Sequence, residues 1–388
     1  MPVRDIPTGL SFDDVLLVPR RTGLTSRSEA DLSSRLVPGL SLRIPIVSAN
    51  APWCTGPRLA VAMALAGGIG VLHRMQTARQ QASDLASAKA APTAGADRRV
   101  ASLDDAGRPR VAAAVGVTGD WLDRAELLVD GGADALVVDV AHGHADYVFK
   151  VVEQLKSRFP LVPVVAGNVA TAAGTRDLIS AGADAVKVGI GPGGVCTTRI
   201  VAGSGVPQFT AVLQCAEQAA ALGVPVIADG GVRTSGDIAK ALAAGADSVM
   251  LGTLFAGSAE SEARLVEQDG RRVKVSTGFV TFGMRLTLKR ARGETVTRRE
   301  LAEYTPEGSE ATFPYTGPLA DTLSQLVGGL RSGMSYSGAR NLAELHRNAE
   351  FIRITPAGLA ESRPHALNRI DQLPLDYRVE TAGNEGPR

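Results

Sequence analysis

Short runs of β-branched and apolar residues, each bounded by Gly, Pro or Asp, recur along the chain and alternate with helix-like stretches. In order they are Ile44 to Ser48, Gly68 to Leu72, Val111 to Val115 and Ala135 to Asp139. Pro163 to Gly167, Ala185 to Gly189, Pro225 to Asp229 and Ser248 to Gly252 follow. Several are apolar at both alternations, the pattern of a parallel strand buried on both faces. Between them lie segments such as Asp120 to Asp130, Thr171 to Ser180 and Ser235 to Ala244. Eight strand–helix units predict an α/β fold, a (β/α)8 TIM barrel, although a doubly wound sheet shares the same local grammar.

An internal repeat favours the barrel. Val162-Pro163-Val164-Val165-Ala166-Gly167 returns as Val224-Pro225-Val226-Ile227-Ala228-Asp229. Gly131-Gly132-Ala133-Asp134 has relatives in Ala181-Gly182-Ala183-Asp184 and Ala244-Gly245-Ala246-Asp247. Each Gly-Ala-Asp falls at a helix end just before the next strand, where Gly takes the left-handed cap. These are turn parts, with no chemistry assigned to them.

Two segments break the alternation. Residues 92–110 are small, polar and Gly/Pro-containing, and read as a surface linker. Residues 270–318 follow the eighth strand, lack sustained periodicity and are far longer than the roughly two to six residues of an ordinary barrel loop. Insertions after barrel strands lie on the catalytic face, so this stretch is expected to be an active-site flap on a barrel occupying all of 1–388.

Composition narrows the function. Lys and Arg number 41 against 40 Asp and Glu, so there is no basic excess to attract nucleic acid or an anionic membrane. No stretch approaches the roughly 18 uninterrupted apolar residues of a membrane span. Met1-Pro2-Val3-Arg4-Asp5 lacks the apolar region of a secretory signal. Cys54, Cys196 and Cys215 are too few, and wrongly spaced, for a disulfide framework or structural zinc, which suits a reducing cytoplasm.

Three constellations carry possible chemistry. The loop Gly189-Ile190-Gly191-Pro192-Gly193-Gly194-Val195-Cys196-Thr197-Thr198-Arg199 sets one thiol at a strand's C-terminal end beside hydroxyls and a cation, the context of a nucleophile. Its carbonyls can face a monovalent cation and its N–H groups an anion. Asp229-Gly230-Gly231 after strand seven, with Gly252-Thr253 after strand eight, suits a phosphosugar: backbone N–H groups for phosphate and a carboxylate for ribose hydroxyls. In Asp139-Val140-Ala141-His142-Gly143-His144, Asp139 suits a second ribose, and the histidines lack partners for a metal set. No GxGxxG follows the first strand, so a dinucleotide would have to bind across the barrel mouth.

At these residues the chain resembles the IMP dehydrogenase/GMP reductase family over nearly its whole length. The matching motifs are Leu10 to Pro19, Gly67-Gly68-Ile69-Gly70, Asp139 to His144, Ala166-Gly167-Asn168-Val169, Gly189 to Arg199, Ala228 to Val232 and Gly328 to Met334. The resemblance implies that Cys196 attacks C2 of a purine nucleotide, with Thr198 and Glu307 as its catalytic partners. It further implies that Asp229 holds the nucleotide ribose and that Gly231, Gly252 and Thr253 hold its phosphate. Asn168, Gly230, Gly278 and Gly308 complete the implied substrate site. Asp139, Gly189 and Gly191 would serve the nicotinamide cofactor. Carbonyls of Gly191, Gly193 and Cys196 would face K+, and a homotetramer is the implied assembly.

Departures from the family pattern separate its two reactions. Dehydrogenases carry an Arg-Tyr pair in the flap that activates water; here the region reads Thr295-Val296-Thr297-Arg298-Arg299-Glu300. Ala302-Glu303-Tyr304 before Glu307 looks like a reductase flap, whereas His142-Gly143-His144 and Pro306-Glu307-Gly308 look like bacterial dehydrogenases. The reading is an NADPH-dependent GMP reductase, with the alternatives of an NAD-dependent IMP dehydrogenase and a non-catalytic nucleotide-binding barrel. Gly194 stands where the family has a phosphate-contacting Ser, and Ala51-Pro52 replaces Met-Asp. Residues 92–110 sit where many relatives insert a pair of CBS modules.

Overall fold

A computed structural model describes residues 6–276, 281–291, 293–295 and 297–363. Eight parallel strands close into a barrel: β1 (Ile46–Ser48), β2 (Ile69–Leu72), β3 (Val111–Val115), β4 (Ala135–Asp139), β5 (Val164–Val169), β6 (Ala185–Val188), β7 (Val226–Asp229) and β8 (Ser248–Leu251). These are the eight runs of the hydrophobic pattern: four shed a terminal Gly or Pro, two keep their bounds, β1 begins two residues later and β5 runs two residues further. Eight principal helices follow them: α1 (Pro57–Leu65), α2 (Ala78–Lys89), α3 (Trp121–Asp130), α4 (Asp146–Arg158), α5 (Ala172–Ser180), α6 (Gln208–Ala220), α7 (Ser235–Ala243) and α8 (Leu319–Tyr336). Hydroxyls of Thr77, Thr171 and Thr234 accept from the first turns of α2, α5 and α7 and fix where those helices start.

Alternation along the strands divides the core in two. Val47, Val71, Ala112, Ala114, Val137, Val165, Ile227 and Met250 fill the barrel, while Val115, Val138, Val186 and Val249 face the helices. A hairpin of Ser34–Val37 and Leu40–Leu42 adds Leu36, Val37, Leu40 and Leu42 to the inner cluster, and the Ser34 hydroxyl donates to the Asp247 carbonyl just before β8. The hairpin thus plugs the N-terminal end of the barrel and leaves the other end open. Val15–Leu17 pairs antiparallel with Phe351–Arg353, which ties the start of the described chain to its end.

The Gly-Ala-Asp repeats gain a specific structural role. Asp134, Asp184 and Asp247 each accept from the first N–H of the preceding strand, at Val111, Val164 and Val226, over 2.7 to 2.8 Å. At the other seams a proline carbonyl does the corresponding work: Pro163 accepts from Leu136, Pro225 from Val186 and Pro45 from Val249. Gly132, Gly182 and Gly245 take positive φ of 82°, 102° and 104°, as helix ends feeding such turns require.

The long segment after β8 is more regular than its sequence suggests. Arg264–Gln268, Arg271–Ser276 and Ala311–Pro314 form an antiparallel sheet, and Phe282–Ala291 and Arg298–Glu303 are helical. Short, charge-rich helices carry little periodic signal, and the start of the second is set by the Thr297 hydroxyl, which accepts from the Glu300 N–H. Residues 92–110 are anchored as well: Leu103 bridges Pro109, and Asp104 pairs with Lys89 at 3.0 Å.

Candidate active site

The open end of the barrel holds a cleft of about 710 Å³. Every described site residue expected from sequence lines it: Asp139, Asn168, Gly189, Gly191, Gly193, Cys196, Thr198, Asp229, Gly230, Gly231, Gly252, Thr253, Glu307 and Gly308. Gly278 lies outside the described residues.

Cys196 stands at one end of a short polar chain. Its Sγ lies 3.2 Å from Thr198 Oγ1, which in turn donates to Glu307 Oε2 at 2.7 Å. The glutamate comes from the segment after β8 and is fixed by backbone pairing. Thr197 N–H donates to the Glu307 carbonyl at 2.9 Å, and Ser309 N–H donates to Val195 at 2.9 Å. A thiol, a hydroxyl and a carboxylate in series can carry a proton to or from whatever the sulfur attacks.

Within the loop, the Cys196 N–H donates to the Gly193 carbonyl at 3.1 Å. One of the three carbonyls expected to face K+ therefore already closes the turn, leaving its second lone pair for a cation. Gly189 has φ of +151°, and a Cβ there would lie 2.0 Å from the Asp229 carbonyl, so β6 can hand over to the loop this close to β7 only through glycine. A Cβ on Gly194 would come 3.0 Å from the Thr253 methyl, so the loops after β6 and β8 touch where the expected serine is missing.

The two candidate ribose carboxylates are not independent. Asp139 and Asp229 both bond the ammonium of Lys187, the former at 2.9 Å. Lys187 is only 2% exposed, and its ammonium also donates to Asn168 Oδ1. Asn168 Nδ2 returns to Asp229 at 2.9 Å and to the Gly189 carbonyl at 2.7 Å. Burial alone would raise the Asp139 pKa. The charges of Lys187 and Arg74, with hydrogen bonds from Lys187 and Asn50, outweigh it and hold the carboxyl below its ordinary value.

Sequence reasoning passed over Lys187, Arg74, Asn50 and Trp53, which also line or support the cleft. Lys187 left a usable signal, a lone charge inside the apolar strand Ala185-Val186-Lys187-Val188, since a buried ammonium demands partners. The histidines after β4 stand apart from this network. His144 bonds Asp177 at 2.9 Å, and the described residues contain no cluster of three or more metal-ligating side chains. Cys54 and Cys215 are buried, which pushes their thiols up to about 12 and about 11.

This constellation has a family. The IMP dehydrogenase / GMP reductase domain matches residues 9–365. The chain belongs to the IMP dehydrogenase/GMP reductase family.

Relatives within that family carry both names. An inosine-5'-monophosphate dehydrogenase of Nitrosopumilus maritimus is 38% identical, covering 92% of this chain and 98% of the relative. A GMP reductase of Leishmania donovani is 36% identical over 94% and 98%. Among solved structures, a Trypanosoma brucei GMP reductase in complex with guanosine 5'-monophosphate superposes with a TM-score of 0.88 at 36% identity, covering 94% and 99%. The (β/α)8 barrel and an oxidoreductase of purine nucleotides follow from membership of this family. No helix among the described residues is long and apolar enough to cross a membrane.

Proposed function

We propose that the chain is a GMP reductase: GMP, NADPH and two protons give IMP, NADP⁺ and ammonium. The observation that carries this reading is the Cys196–Thr198–Glu307 chain together with a flap sequence that offers no Arg-Tyr pair to activate water. A dehydrogenase must hydrolyse its covalent adduct and needs such a base. A reductase needs only to place protons on a departing amine, which a hydroxyl backed by a carboxylate can do.

In this reading the Cys196 sulfur bonds to purine C2 as the C2–amine bond breaks. Thr198, relaying from Glu307, delivers the proton that lets the amine leave as ammonia, and a thioimidate remains on Cys196. The cofactor, when bound, supplies a hydride to C2. The sulfur then departs as thiolate, and IMP is released. Asp229 and Asn168 position the nucleotide ribose; backbone N–H groups around Gly230, Gly231, Gly252 and Thr253 meet its phosphate, and Gly308 borders the base. Asp139, with Gly189 and Gly191, receives the cofactor.

Absorbance at 340 nm tests the assignment. Purified protein is expected to consume NADPH with GMP and to leave NAD unreduced with IMP. A rise with IMP and NAD alone would make it a dehydrogenase. Binding of GMP without turnover in either direction would leave a nucleotide-binding barrel. Exchange of potassium for lithium is expected to lower the rate, through the carbonyls of Gly191, Gly193 and Cys196. Size-exclusion chromatography with light scattering checks the tetramer that we propose as its assembly.

A further inference from the structure

At the floor of the cleft, two carboxylates share one buried cation. Lys187 Nζ donates to Asp139 at 2.9 Å, to Asp229 Oδ2 and to Asn168 Oδ1, which uses all three of its N–H bonds. Alternation brings these groups to one inner layer: Asp139 faces Gly167 across β4 and β5, and Gly167 faces Lys187 across β5 and β6. The ammonium enters because residue 167 has no side chain; a Cβ there would sit 2.7 Å from the Lys187 Cβ. Asn168 completes a closed ring of bonds by donating to the same Asp229 oxygen that accepts from Lys187.

At 2% exposure Lys187 offers a nucleotide almost no surface, and the proton path through Thr198 and Glu307 makes no use of it. A buried ammonium whose three donors are spent on the two carboxylates and the Asn168 amide has one evident effect. It fixes the direction in which the carboxylates' remaining lone pairs point.

We propose that Lys187 is a positioning residue that holds Asp139 and Asp229 aimed into the cleft, so that one ammonium sets the hydroxyl-binding carboxylates for nucleotide and cofactor together. This rests on the ribose roles given to the two aspartates above. The charged or titratable groups facing Lys187 are Asp139 from β4 and Asp229 from β7. Arg74, from the loop after β2, faces Asp139 from outside, and the amides of Asn50 and Asn168 are neutral. Without Lys187, the buried Asp139 and the partly exposed Asp229 would face each other with Arg74 alone as counter-charge, and their mutual repulsion would turn them away from the ligand-binding orientation.

The test is Lys187→Met. KM for GMP and KM for NADPH are both expected to rise, about 10- to 100-fold each, with a smaller fall in kcat. The acid limb of kcat/KM is expected to move toward neutral pH. Thermal stability supplies a readout independent of turnover. An Asp139 carboxyl no longer held down by Lys187 favours folding while protonated, so the variant is expected to gain thermal stability between pH 8 and pH 5 relative to the parent. Adding Asp139→Asn to Lys187→Met removes the second carboxylate and is expected to return GMP affinity to that of Asp139→Asn alone.

A variant that binds both ligands like the parent, weakens only one of them, or keeps the parental acid limb overturns the proposal. Should Lys187→Met fail to fold, Lys187→Gln, one atom shorter and neutral but with two N–H donors, carries the same expectations at smaller size. GMP affinities by calorimetry decide the matter even in a parent that shows no turnover. Absent turnover counts against the reductase reading, and parental GMP affinity in the Lys187 variants counts against this one.

Discussion

The Thr198 hydroxyl donates to Glu307 at 2.7 Å across 109 residues of chain. One partner stands on the loop after β6, and the other arrives from the segment beyond β8, held there by backbone bonds to Thr197 and Val195. The hydroxyl and the carboxylate thus come from two elements that the backbone clips together.

Replacing Glu307 by Gln keeps the shape but removes the charge that makes Thr198 a relay. Turnover is expected to fall by about 10²- to 10⁴-fold while GMP affinity stays within a few-fold, as measured by steady-state kinetics and calorimetry. Equal loss in affinity would mean that Glu307 only shapes the pocket.

The three thiols should differ sharply in reactivity. Burial pushes Cys54 up to about 12 and Cys215 up to about 11, so both are protonated and shielded at pH 8. Iodoacetamide on the native protein is expected to label Cys196 alone, to block turnover as it does so, and to be slowed by GMP. Peptide mass spectrometry reads the sites, and all three should react in guanidinium.

Gly189→Ala should be destructive despite its small size. Its φ of +151° excludes a side chain, and the added carbon would meet the Asp229 carbonyl at 2.0 Å. The β6 loop would have to shift, carrying Cys196 with it. Loss of most activity with a lower melting temperature is the expected result; a variant with parental kinetics would show that the loop yields freely.

Asp184→Ala removes the acceptor for Val164 N–H at 2.8 Å and for Lys156 at 2.7 Å. A stability loss of about 2 kcal/mol is expected in urea titration, with kcat unchanged, because the residue lies at the end of the barrel away from the cleft. A change in kcat would tie this turn to catalysis.

How much of this could be read from residues alone follows from which forces are local. The eight strands were legible because burial on both faces writes a continuous apolar run at each. The thiol loop was legible because its glycines and its position after β6 have no cheaper explanation. Lys187 was not, since its meaning lies in Asp139, Asn168 and Asp229, which adjoin it only once β4 to β7 are laid side by side. The helices Phe282–Ala291 and Arg298–Glu303 escaped for another reason: both are short and rich in charge, which leaves little apolar period to read. The strand Arg264–Gln268 also starts before the expected flap boundary at 270, because its partner is Arg271–Ser276 and a hairpin cannot begin at its own turn.

The carboxylates of Asp134, Asp184 and Asp247 clasp β3 to β4, β5 to β6 and β7 to β8, and the carbonyl of Gly67 accepts from Arg43 and Ile44 to draw β1 toward β2. The wall therefore reads as four double staves, with proline carbonyls at three of the four seams between them, rather than as eight equal strands. Amide hydrogens at those seams, on Leu136, Val186 and Val249, are where the cylinder would first admit solvent. The cleft straddles two of the seams: Asp139 and Asn168 flank one, and Lys187 and Asp229 flank the next. Breathing of the staves would thus reach the ligands directly, while each stave, clasped within itself, stayed whole.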